Sequence, residues 1–389
     1  MHDHRPLNGA RSPGRLSLNP NGLLLAAFIV VCWLAAPAHA QAQNADFGYV
    51  EGRIVELTYT NPADPATGGS AVVRLGSGER VTAEVPAAPA VGGTVSAPYR
   101  VGDNVELYYS QGPSGQRSMV VVDWIRRPAL FVLVALFLFT SVAVARFKGL
   151  RAFLATSASL AIVIAFIVPR ILDGWSPIVV SLVGAGSILL LSIYFVHGLN
   201  WSTTAAIIGT FGAVIVTMVL GVAFMHFAKL TGLGTEEAMM ISFGASQVSM
   251  RGLLLAGLLV GALGALTDTT IVQASVVREL AHVDPELPWS SLYASGMRVG
   301  YDHIGSLVNT LVLAYAGSAL PLLVLLTMGD FTLARAVNIE LVATEVVHTL
   351  VGSIGLVLSV PITTAVAATL FAGGKKALRP GELHAGHKH

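Results

Sequence analysis

Hydrophobic and polar positions follow two different periods along this chain. Between residues 41 and 126 they alternate over short runs: Tyr49 to Leu57, Ala71 to Leu75, Arg80 to Val85, Asn104 to Tyr109 and Ser118 to Val122. Asn61-Pro62, Gly68-Gly69, Gly76-Ser77-Gly78, Gly92-Gly93 and Gly112-Pro113 punctuate them. Alternation puts successive side chains on opposite faces of a strand, and the glycines and prolines supply the turns. Five or six short strands in so few residues predict a small antiparallel barrel or sandwich. It holds no histidine, no cysteine and no clustered carboxylates, so a sensing, docking or covering role is expected there rather than catalysis.

After residue 126 the alternation gives way to long apolar runs. Seven stretches, 128–145, 152–170, 177–197, 202–228, 252–275, 304–328 and 346–371, approach or exceed the ~20 residues that a helix needs to cross a bilayer core. The fold class expected is an α-helical polytopic membrane protein of seven spans (127–371) with an N-terminal all-β, barrel-like domain (41–126) outside the cytoplasm.

Composition agrees. Hydrophobic residues make up 54% and charged residues 12%, with a mean hydropathy of +0.70, whereas a soluble domain carries about 25% charged residues. Forty glycines suit close packing of membrane helices. A formal net charge of +1 argues against nucleic acid as a partner.

Residues 1–40 have the layout of a secretory signal: Arg5, Arg11 and Arg15, an apolar run over 22–34, then Ala38-His39-Ala40. The single cysteine, Cys32, lies inside it and follows Val31 rather than a small residue, against a lipoprotein signal. An uncleaved anchor is the alternative, with the same orientation. Nine cations, Arg146, Lys148, Arg151, Arg278, Arg298, Lys375, Lys376, Arg379 and Lys388, lie on one side of the spans. Four, Arg170, Lys229, Arg251 and Arg335, lie on the other. The excess marks the cytoplasmic side, with the tail 372–389 inside, and a cell (inner) membrane is the location expected. Arg126 and Arg127 oppose the rule. The tail histidines His384, His387 and His389 could hold a divalent ion or simply be solvated.

Polar chemistry concentrates in the last three spans, each preceded by a polar shoulder: 236–251, 282–303 and 331–345. These are expected to be interfacial helices or re-entrant pieces. In the fifth span Gly257, Gly261 and Gly264 mark a helix-packing face, which could meet the same chain or a second copy. Thr267-Asp268-Thr269-Thr270 follows. An aspartate at a bilayer centre costs about 2.5–3.5 kcal/mol on insertion scales, so Asp268 needs a partner, a cation or a proton.

At helical spacing Arg298, Asp302, Ser306 and Asn309 share one face, and Arg298 with Asp302 at i, i+4 can form an ion pair. The sharper alternative joins Asp268, Asp302 and Asn309 into an oxygen-rich cation or proton site. Glu345 and His348 stand at i, i+3, with Glu340 before them. One Glu-x-x-His copy falls short of the two that a paired-metal bundle needs, and proton handling by His348 is the alternative.

No His-Glu-x-x-His helix, Gly-x-Ser-x-Gly elbow or Walker-type phosphate loop occurs. No enzyme activity and no cofactor are therefore expected.

Several stretches resemble the bacterial YibE/F family of membrane proteins. They are Gly261-Ala262-Leu263-Gly264-Ala265-Leu266-Thr267-Asp268 with Arg278-Glu279-Leu280, Arg298 to Gly305, Asn309 to Gly317 with Leu320-Pro321, and Leu350 to Pro361. The resemblance runs from about residue 48 to 371. It implies a multi-pass membrane protein with a small extracytoplasmic β-domain, and it points to Asp268, Asp302 and Asn309 as site or structural residues. It implies no activity. The function expected is a secondary transporter or channel for a small solute or ion. A sensor or assembly partner acting through the β-domain on an extracytoplasmic protein is the alternative.

Overall fold

The computed structural model describes residues 47–61, 67–87, 99–111, 117–329 and 332–374. The signal-like segment 1–40 and the three tail histidines lie outside the described residues. At Arg146 the chain divides into two compact units.

The first unit holds five strands, β1 (Phe47–Tyr59), β2 (Gly69–Leu75), β3 (Arg80–Val85), β4 (Asn104–Gln111) and β5 (Arg117–Trp124). They close into a barrel in the order β1-β2-β3-β5-β4. β1 can serve two neighbours because it is long and irregular: residues 47–53 pair with β4 and residues 52–59 with β2, across a register shift at Val55. The expected antiparallel barrel needs one correction, since β3 and β5 pair in parallel. β4 occupies the place between β1 and β5, so β5 closes the ring beside β3 running the same way. Alternation fills the interior with Ile54, Val73, Ala83, Val105, Leu107 and Val121, all essentially inaccessible.

Two residues after β5 the first long helix begins, α1 (Arg127–Ile162). The arginines that oppose the charge rule are compensated here. Arg126 pairs with Asp123 at 2.5 Å and lies 5.8 Å from the Trp124 ring, and Arg127 pairs with Glu51. The Arg126 guanidinium, helped by the Trp124 N–H, holds the Asp123 carboxyl below the usual carboxylate range.

The helix breaks at Arg146, whose φ is 51°. A π-helical turn over Val163–Ile167 then leads into α2 (Val168–Leu172). Pro169 explains the turn: it has no N–H and its ring crowds the preceding carbonyl, so the ladder widens locally. Counted through, this apolar segment has 46 residues, about 69 Å at 1.5 Å per residue and twice a bilayer core.

α3 (Pro177–His197) ends at Gly198, and α4 (Trp201–Phe227) starts in a reciprocal cap between Asn200 and Thr203. Next come α5 (Glu236–Gly244), α6 (Met250–Val283), α7 (Trp289–Ser318), α8 (Leu320–Met328), α9 (Leu333–Ala336) and α10 (Glu340–Phe371). Five of these apolar segments, or six with the bent pair α7–α8 counted as one, are long enough to cross a membrane.

The first polar shoulder is a separate short helix, and the third holds the four-residue α9. Residues 289–303 belong to the same rod as the sixth apolar run, and α10 already begins at Glu340, because one face of each shoulder packs on the bundle. α7 and α8 meet at a 60° bend. Pro321 in the first turn of α8 supplies no N–H to the preceding turn.

Candidate functional site

The centre of the helical unit is a seam between α4, α6 and α10 built from small residues. A Cβ at Gly209 would collide with Thr363, and one at Gly355 with Thr217. One at Gly221 would lie 2.6 Å from Leu255. Such approach lets polar side chains meet inside the bundle. The Thr210 and Thr270 hydroxyls are 2.5 Å apart. The Gln273 amide donates to the Gly296 carbonyl at 2.9 Å and to the Thr364 hydroxyl at 2.7 Å, tying α6, α7 and α10 together. Gly296 leaves room for this clamp, since a Cβ there would meet Thr364 and Val277 at 2.9 Å. Gln273, Thr210, Thr217, Thr270 and Thr364 are satisfied within the chain, so their polarity is structural, whereas the buried Thr363 hydroxyl has no hydrogen-bond partner among the described residues.

Asp268 is on the other face of α6. Gly257, Gly261, Gly264 and Asp268 recur at i, i+4, i+7 and i+11, all exposed. Among the described residues the expected packing face is thus mostly open: a Cβ at Gly257 or Gly264 would meet nothing within 4 Å. Gly261 alone has a close neighbour, with the Tyr315 hydroxyl 3.0 Å from where its Cβ would be. Asp268 is within electrostatic reach of His197. His197 also lines a small polar pocket of about 140 Å³ with Asn200, Ser275 and Arg278.

Asp302, Ser306 and Asn309 are exposed on α7, on the face opposite Gly300 and Leu311, which turn toward the bundle. The expected Arg298–Asp302 ion pair does not form among the described residues. Arg298 donates instead to the Ser295 hydroxyl at 2.9 Å, within reach one turn back. No group of three or more His, Cys, Asp or Glu side chains among the described residues is arranged to hold a metal ion.

What the fold does bring together are Glu345 and His348. They line a cleft of about 320 Å³ where α5, α6 and α10 meet, with Glu237, Leu254, Gly257 and Thr344. Glu237 is in the first turn of α5, where the Thr235 hydroxyl caps the helix by accepting from the Ala238 N–H at 3.2 Å. The His348 ring faces the Leu254 backbone. Its Nε2 is buried with no hydrogen-bond partner among the described residues. Glu345 in turn acts electrostatically on Tyr315, whose hydroxyl occupies the space over Gly261.

Glu340 has a different task. Its carboxylate accepts from the Thr231 N–H at 2.7 Å, the Thr231 hydroxyl at 2.9 Å and the Gly232 N–H at 2.8 Å. It pins the loop after α4 to the start of α10. Arg251 donates to the Leu230 carbonyl at 2.7 Å and fixes the same loop from α6.

Sequence reasoning missed Glu237 and Tyr315 as neighbours of Glu345 and His348. Glu237 is an ordinary acidic first-turn residue in sequence, and Tyr315 lies in an apolar run. Neither carries a local signal; only the crossing of the helices joins them.

Long apolar helices packed through glycine and threonine, enclosing an ionisable cleft, define an integral membrane protein. The chain belongs to the YibE/F-like protein family, whose model matches residues 133–373. The match begins within α1, so the barrel is outside it. No curated protein and no solved structure matches the chain.

Proposed function

We propose that this YibE/F-like protein is a secondary transporter or channel for a small solute or ion, and not an enzyme. The observation that carries the reading is the buried, unpartnered Nε2 of His348 beside Glu345, in a cleft within apolar helices. Ionisable groups at membrane depth are costly and are kept where they exchange protons or ions. Glu345 and His348 form the proton- or cation-handling pair, and Asp268 with His197 supplies a second charged point further along α6. Asp302 and Asn309 stand as polar residues of α7 that a solute path or a second copy would use.

In this reading the chain crosses an inner membrane seven times. α1 turns back at Arg146, and the bent pair α7–α8 counts as one crossing. The barrel is outside the cytoplasm and the C-terminus inside. With Arg126 and Arg127 compensated by Asp123 and Glu51, the loop cations favour that orientation more plainly.

The test is flux in proteoliposomes for protons, sodium, potassium and divalent metals, comparing the native chain with Glu345→Gln, His348→Gln and Asp268→Asn. Loss of flux in the cleft variants at equal reconstitution is expected. Native-level flux in all three, or none above empty liposomes for any ion, would sink the reading. A second reading, a sensor or assembly partner, is favoured by Phe47 and Tyr49, exposed on the barrel with Tyr49 against Tyr108. Its sign is a protein recovered with the full chain, lost on Tyr49→Ser, with no flux.

A further inference from the structure

A third concavity, of about 760 Å³, opens where the barrel meets the first turn of α1 and is lined by Glu51, Arg53, Arg74, Arg127 and Phe131 among others. Its charge is uneven, with three guanidiniums around one carboxylate. Arg127 is paired with Glu51. Arg53 uses only Nε, donating to the Gly102 carbonyl at 2.9 Å, which leaves its terminal nitrogens for another acceptor. The Arg74 guanidinium has no hydrogen bond or ion pair with any described residue.

Guanidinium forks match phosphate oxygens in shape and charge, and the volume is that of a small-molecule site. Position decides where the phosphate comes from. Pro128 opens the apolar run that enters the membrane, and Leu130 and Phe131 are 55% and 71% exposed. With that apolar run taken as a membrane span, the cleft falls at headgroup level and Phe131 leads from it toward the acyl region.

We propose that Arg53, Arg74 and Arg127 bind the phosphate of an anionic phospholipid headgroup, whose acyl chains run along Phe131 and α1. A free phosphate shares the headgroup chemistry but gains nothing from Phe131. The proposal holds whether or not the helical unit carries ions.

The test uses the full chain in mild detergent, incubated with phosphatidylglycerol or phosphatidylcholine and weighed by native mass spectrometry. One phosphatidylglycerol is expected to be retained in preference to phosphatidylcholine. Arg74→Gln should weaken that retention about fivefold, the usual effect of one cation near an anionic lipid surface. Glu51→Gln frees Arg127 and should strengthen it, a sign that general damage to the fold would not produce. Phe131→Ser should weaken it without changing the response to inorganic phosphate. Should Arg74→Gln melt early, Arg74→Lys, which keeps the charge but not the fork, is expected to lose part of the preference. Equal retention of the two lipids, or retention unmoved by the Arg74 variants, overturns the proposal. Inorganic phosphate that stabilises the protein as well as phosphatidylglycerol does, with Phe131→Ser silent, would make the site one for soluble anions and overturn the lipid assignment.

Discussion

The two faces of α6 treat polar residues in opposite ways. One face carries Leu255, Leu259, Ala262, Leu266, Thr270, Gln273 and Val277, all buried, and each polar group on it has found a partner on a neighbouring helix or its own backbone. The other carries Gly257, Gly261, Gly264 and Asp268, exposed and mostly without neighbours. Threonine and glutamine on the first face hold helices together, because without water an interhelical hydrogen bond satisfies groups that would otherwise be orphaned. The glycines on the second face instead leave space, and at Gly257 that space is the cleft of Glu345 and His348. Small residues thus serve contact on one face and vacancy on the other.

Substitutions that fill each face separate these roles. The largest effect is expected for Gly355→Val, because the Thr217 hydroxyl already occupies the position of the new Cβ. Overpacking there should cost about 3 kcal/mol, seen as a large drop in the melting temperature of the detergent-solubilised protein. Gln273→Ala comes next. It leaves the Gly296 carbonyl and Thr364 hydroxyl without their shared donor, for a loss of about 2 kcal/mol. A melting temperature unchanged by Gln273→Ala would remove the clamp from the account of the buried face.

On the open face, Gly257→Leu and Gly264→Leu should both leave stability within about 0.5 kcal/mol of native. The first should stop flux by filling the cleft, while the second should not. Equal effects of the two on flux would show that the glycine stripe acts as a whole and not through the cleft. Asp268→Asn should likewise melt as the native protein does, since Asp268 is exposed and makes no hydrogen bond or ion pair with a described residue.

The smallest effect concerns the barrel. Arg126 depresses the Asp123 carboxyl, so this pair contributes stability above the ordinary carboxylate pKa of about 4. The contribution is lost as pH falls through the lower folded value. Both partners are well exposed, so the expected change is slight: a decline in barrel melting below about pH 4 that Asp123→Asn abolishes. Identical acid profiles for the two proteins would count against the pair.

Much of the architecture could be read in advance. β3 matches its alternating run end to end, and β1 exceeds its own by two residues at each end, because alternation fixes which side of a strand is buried. The apolar runs marked the helices for the same local reason. Their shoulders did not, since a polar first turn reads as interface unless the packing of Gly296 and Gly300 on Gln273 is known. Of the expected site, Glu345 and His348 were visible as a one-turn pair, and Asp268 as a charge that needs an answer. Its postulated union with Asp302 and Asn309 required two helix faces to turn toward each other. The rotation of α7 about its axis is set by Gly300 and Leu311 packing inward, and it points Asp302 and Asn309 away.

Periodicity and hydropathy by themselves determined a membrane-embedded helical protein with a β-domain, because both are summed along the chain and need no partner. Tertiary structure alone decided which polar residues are structural and which stay unsatisfied. A threonine, a glycine or a histidine has the same local signal in either role, and the difference lies only in what the neighbouring helix places opposite it.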